Sequence, residues 1–99
     1  MIEVYQGDVL KIEHIKPLIY VVSKKYFNDQ NAIIGCPIVA VAQDGVTHIS
    51  INEDDVKGII LCEQLRFFDL NSRSFKVMLH SELETMEEVV DIVQGFFDF

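Results

Sequence analysis

Among the side chains able to move a proton near neutral pH, His14 stands out, because histidine changes charge state there and this one falls in a short break, Glu13-His14-Ile15, between two β-prone runs. An acid–base group and a plain exposed loop residue both fit that position. Glu63 and Gln64 close the apolar run that begins at Gly58, where a carboxylate is unusual unless it is paired. Arg66 and Arg73 are the expected partners, so Glu63 reads either as half of an ion pair that shapes a turn or as an active-site acid. The same two arginines are the best candidates for gripping an acidic or phosphate-bearing partner, although two arginines do not make a basic patch. His48 and His80, like Phe67 and Phe68, read as strand or core residues, with a dimer contact as the alternative for the Phe pair. The three histidines, His14, His48 and His80, show no i,i+4 pairing and no second cysteine nearby, so no metal and no other cofactor is expected.

Positioning these groups falls to short runs of β-branched and aromatic residues: Ile2 to Tyr5 and Val9 to Ile12, Leu18 to Ser23, Ala32 to Ala42, Val46 to Ile51, Gly58 to Glu63, and Ser74 to Leu79. Turn residues separate them at Gln6-Gly7-Asp8, Asn28-Asp29-Gln30-Asn31, Asp44-Gly45 and Asp69-Leu70-Asn71-Ser72. About six strands at this spacing bury their apolar faces only by curling into a small sandwich or barrel. The end of the chain changes period. Met86, Val89, Val90, Val93, Phe96 and Phe97 form a helical stripe, with Glu87, Glu88 and Asp91 on the other face. Ser81 with Glu84 and Thr85 with Glu88 both match a capping box, and either could start the helix.

The chain has 99 residues and a net charge of −8, room for one domain, 1–99. Its apolar fraction of 49% is too high for a disordered chain. No run is long enough to span a bilayer as a helix, and the longest, Ala32 to Ala42, is broken by Gly35 and Pro37. The first ten residues include Glu3 and Asp8 and lack the pattern of a secretory signal, so a cytoplasmic location is expected. Cys36 and Cys62 sit inside apolar runs and read as reduced core thiols. All 8 Lys and Arg fall in residues 1–76 against 10 acids, giving −2; residues 77–99 carry six acids and no Lys or Arg, giving −6. That acidic face is either a solvated surface or a dock for a basic partner. Binding nucleic acid requires the few cations to converge on one groove.

Three stretches resemble the MazF/PemK family of toxin–antitoxin endoribonucleases. Gly7-Asp8-Val9-Leu10 resembles its opening strand, and Lys16-Pro17-Leu18-Ile19-Tyr20-Val21-Val22-Ser23 resembles its "RPxLVVS" segment. Cys36-Pro37-Ile38-Val39 resembles "xPIT", and Gly58 through Arg66 resembles "GxxxxDQxR", with Asp69 and Arg73 spaced as in the following turn. Order and spacing agree over nearly the whole chain.

The resemblance implies a mainly β fold with α, an SH3-like small β-barrel with a C-terminal amphipathic helix, usually a homodimer. It implies an antitoxin peptide as partner and single-stranded RNA as substrate, cut by driving a ribose 2′-hydroxyl onto the adjacent phosphate. On that reading Lys16, Glu63 and His14 are the catalytic candidates, and Gln64, Arg66 and Arg73 the substrate-binding ones. The family's Arg before Pro is Lys16 here, which keeps the charge and loses the planar fork. Its Thr after "PI" is Val39, which has no hydroxyl, and in the plasmid-borne branch an Arg stands where this chain has Leu61. Two functions follow: an RNA-cutting toxin, or a non-catalytic protein-binding module on the same barrel, as the related gyrase-poisoning toxins illustrate.

Overall fold

The structure is a computed structural model and describes residues 3–98. Its strands are β1 (Asp8–Ile12), β2 (Leu18–Val21), β3 (Ala32–Val39), β4 (His48–Glu53), β5 (Val56–Leu61), β6 (Arg66–Asp69) and β7 (Phe75–His80); its helices are α1 (Lys25–Asn28) and α2 (Leu83–Gly95). Every pairing is antiparallel, in the order β4-β5-β3-β2-β1-β7. The eight-residue β3 is shared between two neighbours, β6 along Ala32 to Gly35 and β5 at Ile38 and Val39. That change of partner curls the sheet into a half-barrel, so the expected mainly β small barrel with a closing helix is what the chain forms.

Alternation along the strands explains how one sheet builds two cores. On β1 and β2, Val9 and Tyr20 face one cluster, shared with Cys36, Ile60, Leu79 and Val89 of α2. Their neighbours Leu10 and Ile19 face the other, with Val4, Ile33 and Phe68. Both cysteines are free and buried, and burial pushes the Cys36 and Cys62 thiols up to about 12 and about 11. Such thiols are poor nucleophiles at physiological pH.

Several details depart from the sequence expectation. Glu3 to Tyr5 has no strand geometry, although Val4 is buried; Ile2 lies outside the described residues. The turn at Asn28 is instead the last residue of the one-turn α1. Arg66–Asp69, not among the expected strand runs, is a strand; Phe68 is buried in the second core as a strand or core residue should be, while Phe67 is 63% exposed. Asp44-Gly45 lies between β3 and β4, which do not pair because β5 lies between them; the tight turn is Asp54-Asp55, with Asp54 at φ 49°. Among the described residues no helix is long and apolar enough to cross a membrane.

Neither capping box starts α2. Ser81 shares a hydrogen bond with the Tyr20 hydroxyl, and the N-cap, Glu82, makes no side-chain cap. Glu53, at the end of β4, does the work across space: its carboxylate accepts from the Glu82 N–H and from the Thr85 hydroxyl, both at 2.8 Å. A carboxylate on the first turn also meets the positive end of the helix dipole. Glu53→Ala should therefore cost about 1 kcal/mol, as loss of a side-chain cap does, and a lowered urea midpoint would show it. An unchanged midpoint would mean that the helix start is held by packing alone. The helix ends at Gly95, leaving Phe96 and Phe97 exposed and edge-on to each other.

Candidate nucleic-acid interface

Three lysines converge where β1, its turn into β2, and β7 meet. Lys11 stands opposite Lys76 in the β1–β7 ladder, so both side chains leave the same face of the sheet. Lys16, just before Pro17, completes the set, and Glu13, His14, Ile15, Ser74 and Phe75 help line the same cavity of about 590 Å³. The β1–β2 turn closes through the Ile15 N–H to the Ile12 carbonyl, with His14 in the left-handed region at φ 66°. Its ring is well exposed, 3.9 Å from the Glu13 carboxylate. Arg73 donates to the Glu13 carbonyl oxygen at 3.3 Å, which holds its guanidinium beside this turn. Of the eight cations on a chain of net charge −8, three line one cavity and a fourth adjoins it.

The structure does not bring Glu63 into this group. Leu18, Ile38 and Ile60 lie side by side across β2, β3 and β5, and β2 and β5 run the same way. Lys16 lies two residues before Leu18 and Glu63 three after Ile60, so the two are displaced by roughly 16 Å along the strands. This register sets two of the three expected catalytic residues apart. Nor is Glu63 paired with Arg66 or Arg73. It accepts from the Thr47 hydroxyl at 2.9 Å and from His48 Nε2 at 3.1 Å. Arg66 instead lies over the Phe68 ring, 5.5 Å from its centroid, and Gln64 is an exposed turn residue whose N–H donates to the Leu61 carbonyl.

His48 is the residue in this second cluster that sequence reasoning passed over. Its Nδ1 meets the Gln43 carbonyl and its Nε2 the Glu63 carboxylate, two acceptors that call for a doubly protonated ring. The carbonyl first, and then Glu63, raise its pKa above the ordinary 6.5. Burial pushes Glu63 upward, but its own backbone N–H, His48 and Thr47 outweigh that and hold it below 4.5. The raised His48 contributes stability that is complete below 6.5 and lost as pH climbs through its folded value. The lowered Glu63 contributes stability present above 4.5 and lost as pH falls through its folded value. The urea midpoint of the natural protein minus that of His48→Gln should thus be largest between these limits and shrink on the alkaline side. A difference flat from pH 5 to 9 would show that the ring is not charged in the fold.

A model of the PemK-like, MazF-like toxins of type II toxin–antitoxin systems matches residues 9–97. The chain belongs to that family. Solved MazF structures share its shape: the MazE–MazF complex (form I) from Deinococcus radiodurans has a TM-score of 0.87 at 16% identity, over 98% of each chain. MazF alone from the same organism gives 0.84 at 15% identity, over 98% of both. An endoribonuclease in complex with its cognate antitoxin from a mycobacterial species gives 0.81 at 10% identity, covering 96% of this chain and 95% of that one. Identities this low speak for the fold. Among curated proteins none matches.

Within this PemK/MazF-like chain, the pocket holds the residues of the "RP"-like segment and the first turn, Lys16 and His14, beside two lysines the motif comparison did not single out. Lys11 and Lys76 carried a weak signal: each is a lone cation in a β-prone run, where one face must point away from the core. What joins them is the pairing of the first strand with the last.

Proposed function

We propose that this chain is an RNA-directed toxin of a toxin–antitoxin pair, and that single-stranded RNA enters the pocket between the β1–β2 turn and β7. The observation that carries this reading is the convergence of His14, Lys16, Lys11 and Lys76 on one cavity in an otherwise acidic protein. Cleavage there needs a base for the 2′-hydroxyl proton, an acid for the departing 5′ oxygen, and positive charge around the five-coordinate phosphorus. On this reading Glu13 accepts the first proton and His14 donates the second, while Lys16 offsets the developing charge. The P–O5′ bond breaks as the 2′ oxygen bonds to phosphorus, leaving a cyclic phosphate and a free 5′-hydroxyl.

Turnover by this set is slow relative to a site with an arginine fork, because ammonium groups grip phosphate as point charges and Val39 supplies no hydroxyl. An antitoxin peptide is the protein partner this reading expects, as in the MazE–MazF complexes the fold resembles, and a second copy of the chain is expected to pair with the first. The reading of a binding module without catalysis is favoured by one observation, the engagement of Glu63 with His48 and Thr47 away from the pocket.

Purified protein incubated with mixed single-stranded RNA separates the two. Cyclic-phosphate ends that vanish in both His14→Ala and Lys16→Ala support cleavage at this pocket. RNA left intact at a large excess of protein removes it, and cleavage that survives both substitutions but is lost in Glu63→Gln moves the chemistry to the other cluster.

A further inference from the structure

One strand position in the sheet stands open. Both β5 and β6 pair with the same edge of β3, and β5 carries β4 on its far side while β6, among the described residues, carries no strand. The direction of the backbone groups along β6 follows from its neighbours. The Leu70 N–H donates to the Asn31 carbonyl at 2.8 Å, and the Ile34 carbonyl accepts from the Val22 N–H on the β2 side. With Ile34 opposite Phe67 and Ala32 opposite Asp69, antiparallel alternation turns the backbone groups of Arg66 and Phe68 toward β3 and those of Phe67 and Asp69 outward. Arg66, Phe67 and Asp69 are all exposed, and Phe67 is the one large apolar side chain on a described strand left so. On the other face Arg66 lies over the Phe68 ring, and among the described residues it joins no salt bridge.

An exposed apolar residue on an unclaimed strand edge invites another chain to pair there, main-chain hydrogen bonds supplying affinity and alternate side chains selectivity. Residues opposite each other across two strands share a face, so a strand laid on β6 sets one side chain against Phe67 and the next against Arg66. Charge chooses the occupant. A second copy of β6, laid antiparallel about Phe67, would put Arg66 against a phenylalanine and bring it no carboxylate. We propose that β6 is a docking edge for an extended segment of a partner protein, joined by strand addition, with an apolar residue beside Phe67 and a carboxylate beside Arg66. This goes beyond the RNA reading and does not rest on it.

The test uses the whole protein and an end-blocked synthetic peptide of about seven residues, with valine at alternate positions, threonine between them and glutamate in place of one threonine. Amide hydrogen exchange read by NMR should find the Phe67 and Asp69 N–H groups exchanging freely in the protein alone and slowed once the peptide is added. Arg66→Glu should weaken binding about tenfold and turn the preference toward the same peptide with lysine for glutamate, and Phe67→Ser should weaken it about fivefold. Unchanged affinity in both variants overturns the proposal. So does equal binding of a peptide methylated on the backbone nitrogens that would face β6, or free exchange of the two amides at about 5 mM peptide. Slowing that grows with protein concentration and needs no peptide gives the edge to a second copy, and overturns the proposal as well.

Discussion

Gly35→Ala should lower stability by about 3 kcal/mol, the upper part of the range for overpacking a filled interior. A Cβ built at Gly35 comes 2.4 Å from Ile19 Cγ2 and 2.8 Å from the Tyr20 carbonyl oxygen, and the second of these is backbone that cannot swing aside. The position is where β3 leaves β5 and takes up β6, with Val21 across one edge and Arg66 across the other. A strand that bends between two partners brings neighbouring backbone close, and only hydrogen fits there. Against the 5–15 kcal/mol expected of a domain this size, the loss is large enough to read as a marked fall in the urea midpoint. A midpoint within the error of the natural protein would mean that β2 and β3 can separate locally, and that the curl is softer than the contacts imply.

Asn28→Ala should cost a similar amount, about 3 kcal/mol, by a different route. Asn28 is fully buried, and its amide donates to the Val4 and Ser23 carbonyls at 2.9 and 3.0 Å while its oxygen accepts from the Ser23 hydroxyl. Truncation leaves the buried Val4 carbonyl and the half-buried Ser23 carbonyl without this donor. Ser23 also receives the Ile34 N–H at 2.9 Å, one residue from Gly35, so the two substitutions share a partner and their effects should not add. Chemical denaturation of the single and double variants measures this directly. Additivity to within a few tenths of a kcal/mol would show that the Ser23 hydroxyl does not link the two places.

What the residues disclosed and what they hid follow the same line. The runs of β-branched and aromatic residues at Val9 to Ile12 and Leu18 to Val21, and the helical stripe from Met86 to Val93, are local signals, and each lies in the expected element. Phe96 and Phe97 of the expected stripe fall beyond the helix and are exposed. Two of the four-residue elements, α1 and β6, escaped. Arg66–Asp69 carries a charge at each end, and α1 combines β-prone Tyr26 and Phe27 with the turn-former Asn28. Asn28 read as a surface turn residue because no local signal says that the distant Val4 carbonyl will join Ser23 around its amide. Glu53 as the cap of α2 is invisible for the same reason, since the matching Ser81 and Thr85 patterns sit closer in sequence and are not used. In the candidate site, His14 and Lys16 were legible because they share one loop. Lys11 and Lys76 become neighbours only once the first strand finds the last, and the Glu63 partnership required β4 to fold against β5.

The union of β1 with β7 also sets a clock on biosynthesis. At ribosomal speeds of about 5–20 residues per second, residues 8–12 wait roughly 3 to 13 seconds before residues 75–80 have been polymerised. Until then the emerging chain presents an unclaimed flank rich in Val9, Leu10 and Ile12, the kind of ribbon that neighbouring nascent copies can zip onto. A lysine in the middle of that ribbon, at position 11, repels an identical copy laid alongside and so guards the waiting strand before it ever meets a ligand.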